Sequence, residues 1–206
     1  MGWIRKSRKA NLTVIPLVNW ERNMWFDETG LMWVPPTDYI PDLNSLLAYV
    51  GMGLLEGTNI TAGKGTRYPY LLVGAPWISG DALFRSLQQT ELPGVRFSPV
   101  IFVPKSYSPS VIDVPYQREE CSGVKLSITD RKSFSPLKTA VTILTNIVQH
   151  YPNEFQWIEG NYIDKLFGYN YLRIFIAQRR DPQKLPATWT HDTIKFHQLR
   201  KEFLLY

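Results

Sequence analysis

The sequence has almost no cysteine or histidine. Cys121 is its only cysteine, so an intrachain disulfide and a thiolate metal cluster are both excluded. The histidines are His150, His191 and His197. The last two stand ~120° apart around a helix and do not share a ligand face. No metal site and no cofactor are expected. A G-x-S-x-G nucleophile elbow is missing too. No apolar run approaches the ~18 residues that cross a bilayer, which excludes a membrane-spanning helix. Acids are absent before Glu21, whereas Arg5, Lys6, Arg8 and Lys9 crowd the start and carry most of the net charge of +5. Such a terminal run is a solvated tail rather than a binding face, and nucleic acid is not an expected partner. The same stretch has no apolar core or cleavage site, so it does not read as a signal peptide.

What is present is 44% hydrophobic, 14% aromatic and 20% charged residues, the balance of a chain that buries a core. Leu12–Leu17 reads as a short strand. Asn19–Pro41, rich in Trp and Pro, is an aromatic-anchored connector that cannot form a long helix. Asp42 caps a helix through Leu43, Leu46, Leu47 and Val50, which Gly51 and Gly53 then break. Asp81–Gln89 is a short helix; Val95–Val103 and Val124–Thr129 alternate as strands. The polar link Pro104–Ser122 has the length of a functional rim. Ser135 caps the clearest helix, Pro136–His150, with Pro136 at its first position and one apolar stripe from Leu137 to Val148. Tyr162–Gln178 reads as two short helical pieces, and a last helix covers Thr190–Lys201 with Trp189, Phe196, Leu199 and Phe203 facing inward. The sum is an α+β fold: a mixed sheet, with helices concentrated in the C-terminal half.

The chemistry gathers in the glycine-rich centre, Glu56–Trp77. A Walker A loop is excluded, because five residues separate Gly57 from Gly63-Lys64 and Gly65 stands where Ser or Thr is needed. Glu56, Thr58, Asn59, Lys64 and Thr66, with Arg67, lie among Trp33, Tyr68, Tyr70 and Trp77. A carboxylate, an amide, hydroxyls and a cation beside flat rings suit a sugar. Composition leaves a plainer alternative open, in which Glu56 and Asn59 satisfy loop amides and Trp77 packs the core.

Glu56–Asn59 (EGTN), Gly63–Thr66 (GKGT) and Gly74–Trp77 (GAPW) resemble the signature of the exo-acting β-N-acetylmuramidases of the NamZ type, a bacterial family once of unknown function. The likeness runs on through Met24–Leu31, Trp33–Pro36, Leu92–Phe97, Cys121–Val124, Thr129–Arg131 and Phe203–Tyr206. Two positions depart from the family pattern. Lys64 stands where the family often has Arg, exchanging a fork for a point charge, and Leu71 stands where it commonly has Glu.

The resemblance implies a two-domain protein, a Rossmann-like N-terminal half followed by the half seen here, with the active site in the cleft between them. It places the catalytic carboxylates in the N-terminal half. Residues 1–36 would be the basic tail, the last strand of that half and a connector; residues 37–206 would be the C-terminal domain. The implied activity is removal of N-acetylmuramic acid from non-reducing ends of peptidoglycan, with substrate contacts from Glu56, Thr58, Asn59, Lys64 and Thr66. The implied partners are peptidoglycan fragments or muropeptides and a separately encoded N-terminal half, and the implied location is exported, periplasmic or extracellular. The alternative is a non-catalytic module that binds glycans or a partner.

Overall fold

A computed structural model describes residues 11–106, 111–182, 184–185 and 189–205. The basic run Arg5–Lys9 lies outside them. They fall into two units, residues 34–191 and a smaller one formed by residues up to 33 with residues from 192 onward.

The larger unit is built around one helix. Helix α1 (Leu43–Met52) starts where Asp42 accepts the amide of Ser45 at 2.8 Å, satisfying an orphan donor of the first turn. It does not stop at Gly51. A Cβ at Gly51 would lie 2.0 Å from the carbonyl oxygen of Pro136, so this glycine is the contact that lets α1 press onto the next long helix. At Gly53 the chain tightens into a 3₁₀ turn, Gly53–Gly57, carrying Glu56.

The partner of α1 is the expected helix, Pro136–His150 (α3; α2 is Gly80–Gln88). Ser135 occupies its N-cap position without a side-chain cap bond. The single stripe was too narrow an expectation: every residue from Thr139 to Thr145 is buried, together with Ile147. Two of the three threonines there bond back along the helix, Thr139 to Ser135 and Thr145 to Val141, each at 2.8 Å, whereas the buried Thr142 hydroxyl makes no such bond. Ala140, Val141, Ile143, Leu144 and Ile147 are fully enclosed, and burial of each larger side chain contributes about 2 kcal/mol.

The sheet has the order β1-β3-β2, from Leu72–Ala75 (β1), Val95–Phe102 (β2) and Cys121–Ile128 (β3). Both pairings are antiparallel, so the α+β class holds while the sheet is not mixed. Helix α2, capped by Ser79 accepting from Ala82, lies against β2 and β3. Where it begins, three glycines meet: Gly74 faces Gly123 across β1 and β3, and Gly80 rests on Gly123. A Cβ at Gly123 would sit 1.9 Å from the oxygen of Val73, and one at Gly80 2.4 Å from that of Gly123. Two short helices, Tyr162–Phe167 (α4) and Tyr171–Ala177 (α5), complete this unit, α4 against the 3₁₀ turn and α5 against α3.

In the smaller unit, Leu12–Leu17 forms no strand, and Leu12, Val14 and Ile15 are exposed. A strand needs a neighbour for its amides, and the expected partners are not among the described residues. The connector behaves as its prolines dictate, with one 3₁₀ turn, Phe26–Thr29, and Phe26 edge-on to Trp33 at 5.3 Å. The last helix, Thr190–Arg200 (α6), forms as expected but buries nothing. Phe196, Leu199 and Phe203 do not face inward; they are exposed.

Candidate functional site

The 3₁₀ turn delivers Glu56 beside the glycine loop. Gly63 and Gly65 both have φ +74, a left-handed backbone that glycine adopts without strain. Between them stands Lys64, whose Nζ lies 2.9 Å from Glu56 Oε1. Tyr70 donates its hydroxyl to the same oxygen at 2.9 Å. Lys64 also sits 5.0 Å from the centre of the Tyr39 ring, a distance at which the cation is attracted to the π face.

These groups open onto a cavity of about 490 Å³ whose lining includes Glu56, Asn59, Lys64, Asp113, Tyr116 and Tyr162. Part of the lining, Asp113, Pro115 and Tyr116, comes from the long polar link. It is fastened by Tyr116, which donates to the carbonyl of Asn59 at 2.6 Å and accepts from Trp77 Nε1 at 3.2 Å. Tyr39 donates to the carbonyl of Ile112, and the Arg118 amide bonds Pro104 at 2.8 Å. Burial pushes the Tyr116 phenol above its ordinary value, which keeps it a donor. Burial, then the Glu56 charge, raises the Tyr70 phenol far more.

The five residues singled out from the sequence divide. Glu56 and Lys64 present their charged ends at the cavity. Asn59 lines it, but its carboxamide is committed elsewhere: Nδ2 donates to the carbonyl of Glu154 and Oδ1 accepts the amide of Gln156, both at 2.8 Å. Thr58 is 5% exposed, and its hydroxyl bonds the Leu55 carbonyl at 2.7 Å and the Ile60 amide at 3.2 Å. Thr66 bonds Gly63 and Tyr68 within its own turn and does not line the cavity. In all three the polar side-chain atoms bond backbone groups of the protein, which for Asn59 is the plainer alternative.

The rings divide as well. Tyr70 is 3% exposed and acts through its hydroxyl, not as a stacking face. Tyr68 is covered by Lys125 at 3.9 Å. Leu71, where the family commonly has an acid, is 7% exposed in the core and does not line the cavity. Asp113 and Tyr162 were not read from the sequence. The length of the link carrying Asp113 was the available signal; nothing local marked Tyr162. A second cavity, about 570 Å³, is lined by Ser86, Thr142, Asn146, Glu91 and neighbours but by no cation or ring, so it lacks the mixed chemistry of the first. Among the described residues no cluster of His, Cys, Asp and Glu suits a metal ion, and no helix is long and apolar enough to cross a membrane.

Comparison with known proteins places this geometry. The C-terminal domain of exo-β-N-acetylmuramidase NamZ matches residues 47–206, and its N-terminal domain matches residues 2–44. The peptidoglycan β-N-acetylmuramidase NamZ of Bacillus subtilis is 34% identical over 197 residues, covering 96% of this chain and 46% of that protein. A crystal structure of a DUF1343 family protein from Bacteroides fragilis superposes with a TM-score of 0.79 at 25% identity, over 91% of this chain and 48% of the other. A second such protein from the same organism gives 0.61 at 25% identity, over 84% and 43%. The chain therefore spans about half the length of the relatives it matches. It belongs to the family of exo-β-N-acetylmuramidase NamZ, a peptidoglycan-related glycosidase family.

Proposed function

We propose that this chain is the substrate-facing part of a peptidoglycan glycosidase that removes N-acetylmuramic acid from non-reducing ends, and that it is inactive alone. The observation that carries the reading is one cavity lined both by Glu56, braced by Lys64 and Tyr70, and by Asp113. Sugar hydroxyls donate to carboxylate oxygens, and the Glu56 side chain is part-exposed on the cavity lining. The Lys64 ammonium has three donors, so it serves Glu56 and a lactyl carboxylate together.

Glycoside hydrolysis uses two carboxyl groups flanking the bond that breaks. Glu56, already tied to a lysine and a phenol, is suited to holding the sugar, and we assign the acid and base to an N-terminal half. The match of residues 2–44 to the N-terminal domain and the greater length of the relatives support that division. On this reading residues 1–36 are the seam between halves, Leu12–Leu17 completes its ladder only beside the other half, and the substrate implies an exported protein.

The test is release of chromophore from a chromogenic β-N-acetylmuraminide. The expected result is none from the 206-residue chain and turnover when the N-terminal half of a family member is added. Turnover by the chain alone overturns the division of labour. The commitment of Asn59 to the 154–156 backbone, and of Thr58 and Thr66 to their own turns, favours a second reading, a non-catalytic glycan- or partner-binding module. Calorimetry separates the two: tight muropeptide binding by the chain alone supports the module, and binding that tightens only with the other half supports the enzyme.

A further inference from the structure

The cavity carries one charge that nothing in its walls answers. Glu56 and Lys64 neutralise each other at 2.9 Å, whereas Asp113, exposed to solvent where it lines the cavity, makes no hydrogen bond or ion pair among the described residues. Its backbone is also unusual. Asp113 has φ 53, and Tyr116 and Arg118 in the same link have φ 56 and 67. Non-glycine residues held in this region store strain, about 1–3 kcal/mol each, and persist only where surrounding contacts impose them. Here the contacts are those of Tyr39 to Ile112, Tyr116 to Asn59 and Arg118 to Pro104. Fastened on both sides, the link holds an unanswered carboxylate at the cavity wall.

A carboxylate is acceptor-only, so it suits a ligand's hydroxyl or amide donors and repels a ligand's own carboxylate. Lys64 is the cavity's only cation among the described residues. From this placement we propose that Asp113 is a specificity-determining residue: it receives the donors of the sugar ring and turns a ligand's carboxylate away from itself, towards Lys64. The inference rests on the sugar-binding reading above and adds a residue and an orientation to it.

The test uses N-acetylglucosamine and N-acetylmuramic acid, which differ by the lactyl carboxylate, titrated by NMR into the wild-type chain and into Asp113→Asn. Asparagine adopts the left-handed region as readily as aspartate, so the variant removes charge while keeping the backbone. An unchanged amide spectrum away from the cavity, with an unchanged urea midpoint, verifies its fold. The expected result has two parts. The variant binds N-acetylglucosamine several-fold more weakly, through loss of a charged acceptor. Its affinity ratio for N-acetylmuramic acid over N-acetylglucosamine rises about threefold, the size of a screened repulsion between like charges at an exposed site. If both sugars bind the wild type and the ratio stays within twofold, the role of Asp113 falls and the sugar site stands. If neither sugar binds the wild type at tens of millimolar, with the N-terminal half of a family member added or without it, the sugar reading falls and Asp113's role with it.

Discussion

Replacing Gly51 with alanine sets two physical effects against each other. Gly51 lies inside a helix, where alanine is favoured over glycine by about 1 kcal/mol, so propensity alone makes Gly51→Ala stabilising. The packing says the reverse. The new Cβ would lie 2.0 Å from the Pro136 oxygen and 2.3 Å from its carbonyl carbon, against a comfortable separation of roughly 3.5 Å. Both are backbone atoms, so relief requires α1 and α3 to part by more than ~1 Å. Parting them opens space beside Met52, Leu55, Ala140 and Leu144, all with no exposed surface. Overpacking of this kind costs ~1–3 kcal/mol or more. We expect a net loss of about 2 kcal/mol, lowering Tm by about 4–8 °C for a domain of this size. The assay is urea unfolding followed by far-UV circular dichroism, with Gly53→Ala as control. There the new Cβ would meet only the Tyr49 ring, at 3.1 Å, a side chain able to yield, and the expected change is near zero. A Gly51→Ala protein as stable as the parent, or more so, refutes the account of how α1 is seated.

Three further outcomes follow from the site. Tyr70→Phe removes one donor from Glu56 and lowers stability by about 1 kcal/mol. Because burial and Glu56 hold the Tyr70 phenol far above its ordinary value of 10.0, its contribution is intact below pH 10 and is lost as pH rises beyond it. The alkaline decline in urea midpoint is therefore shallower in Tyr70→Phe, and an unchanged decline refutes this. Asn59→Ala deletes both bonds to the 154–156 backbone and costs about 2 kcal/mol with sugar affinity preserved; a tenfold loss of affinity at intact stability makes Asn59 a ligand contact instead. Cys121 has no exposed surface, and burial, aided by Glu119, pushes its thiol up to about 12. It resists disulfide-exchange reagents at pH 8 until the protein is unfolded, and prompt labelling of the native chain contradicts that.

The clearest parts of the fold in the sequence were those with a local signature. Asp42 and the Ser135-Pro136 pair announced α1 and α3, because capping and fixed φ act within one turn. β1 was not legible, since Leu72–Ala75 is buried at every position and shows no alternation. Gly51 read as a stop because its role, contact with Pro136, lies far along the chain. The site followed the same division. Gly63 and Gly65 flagged the loop that presents Lys64. Asn59, by contrast, contains every atom a sugar contact needs, and only the fold reveals that residues 154–156 have taken them. The loop carrying Asp113 was marked by its length, but its place on the cavity lining is fixed by contacts far along the chain, such as the bond from Tyr116 to Asn59.

The meeting of Gly74, Gly80 and Gly123 bears on what family membership signifies here. Two of these residues belong to the GAPW and CSGV stretches that make the chain recognisable, yet they form a joint where strand, strand and helix abut without room for a methyl group. What such stretches certify is the carpentry of the scaffold. Asp113 lies outside that joint and outside those stretches, so on the proposal made for it a relative can exchange Asp113, change its sugar preference and keep both the joint and the family likeness.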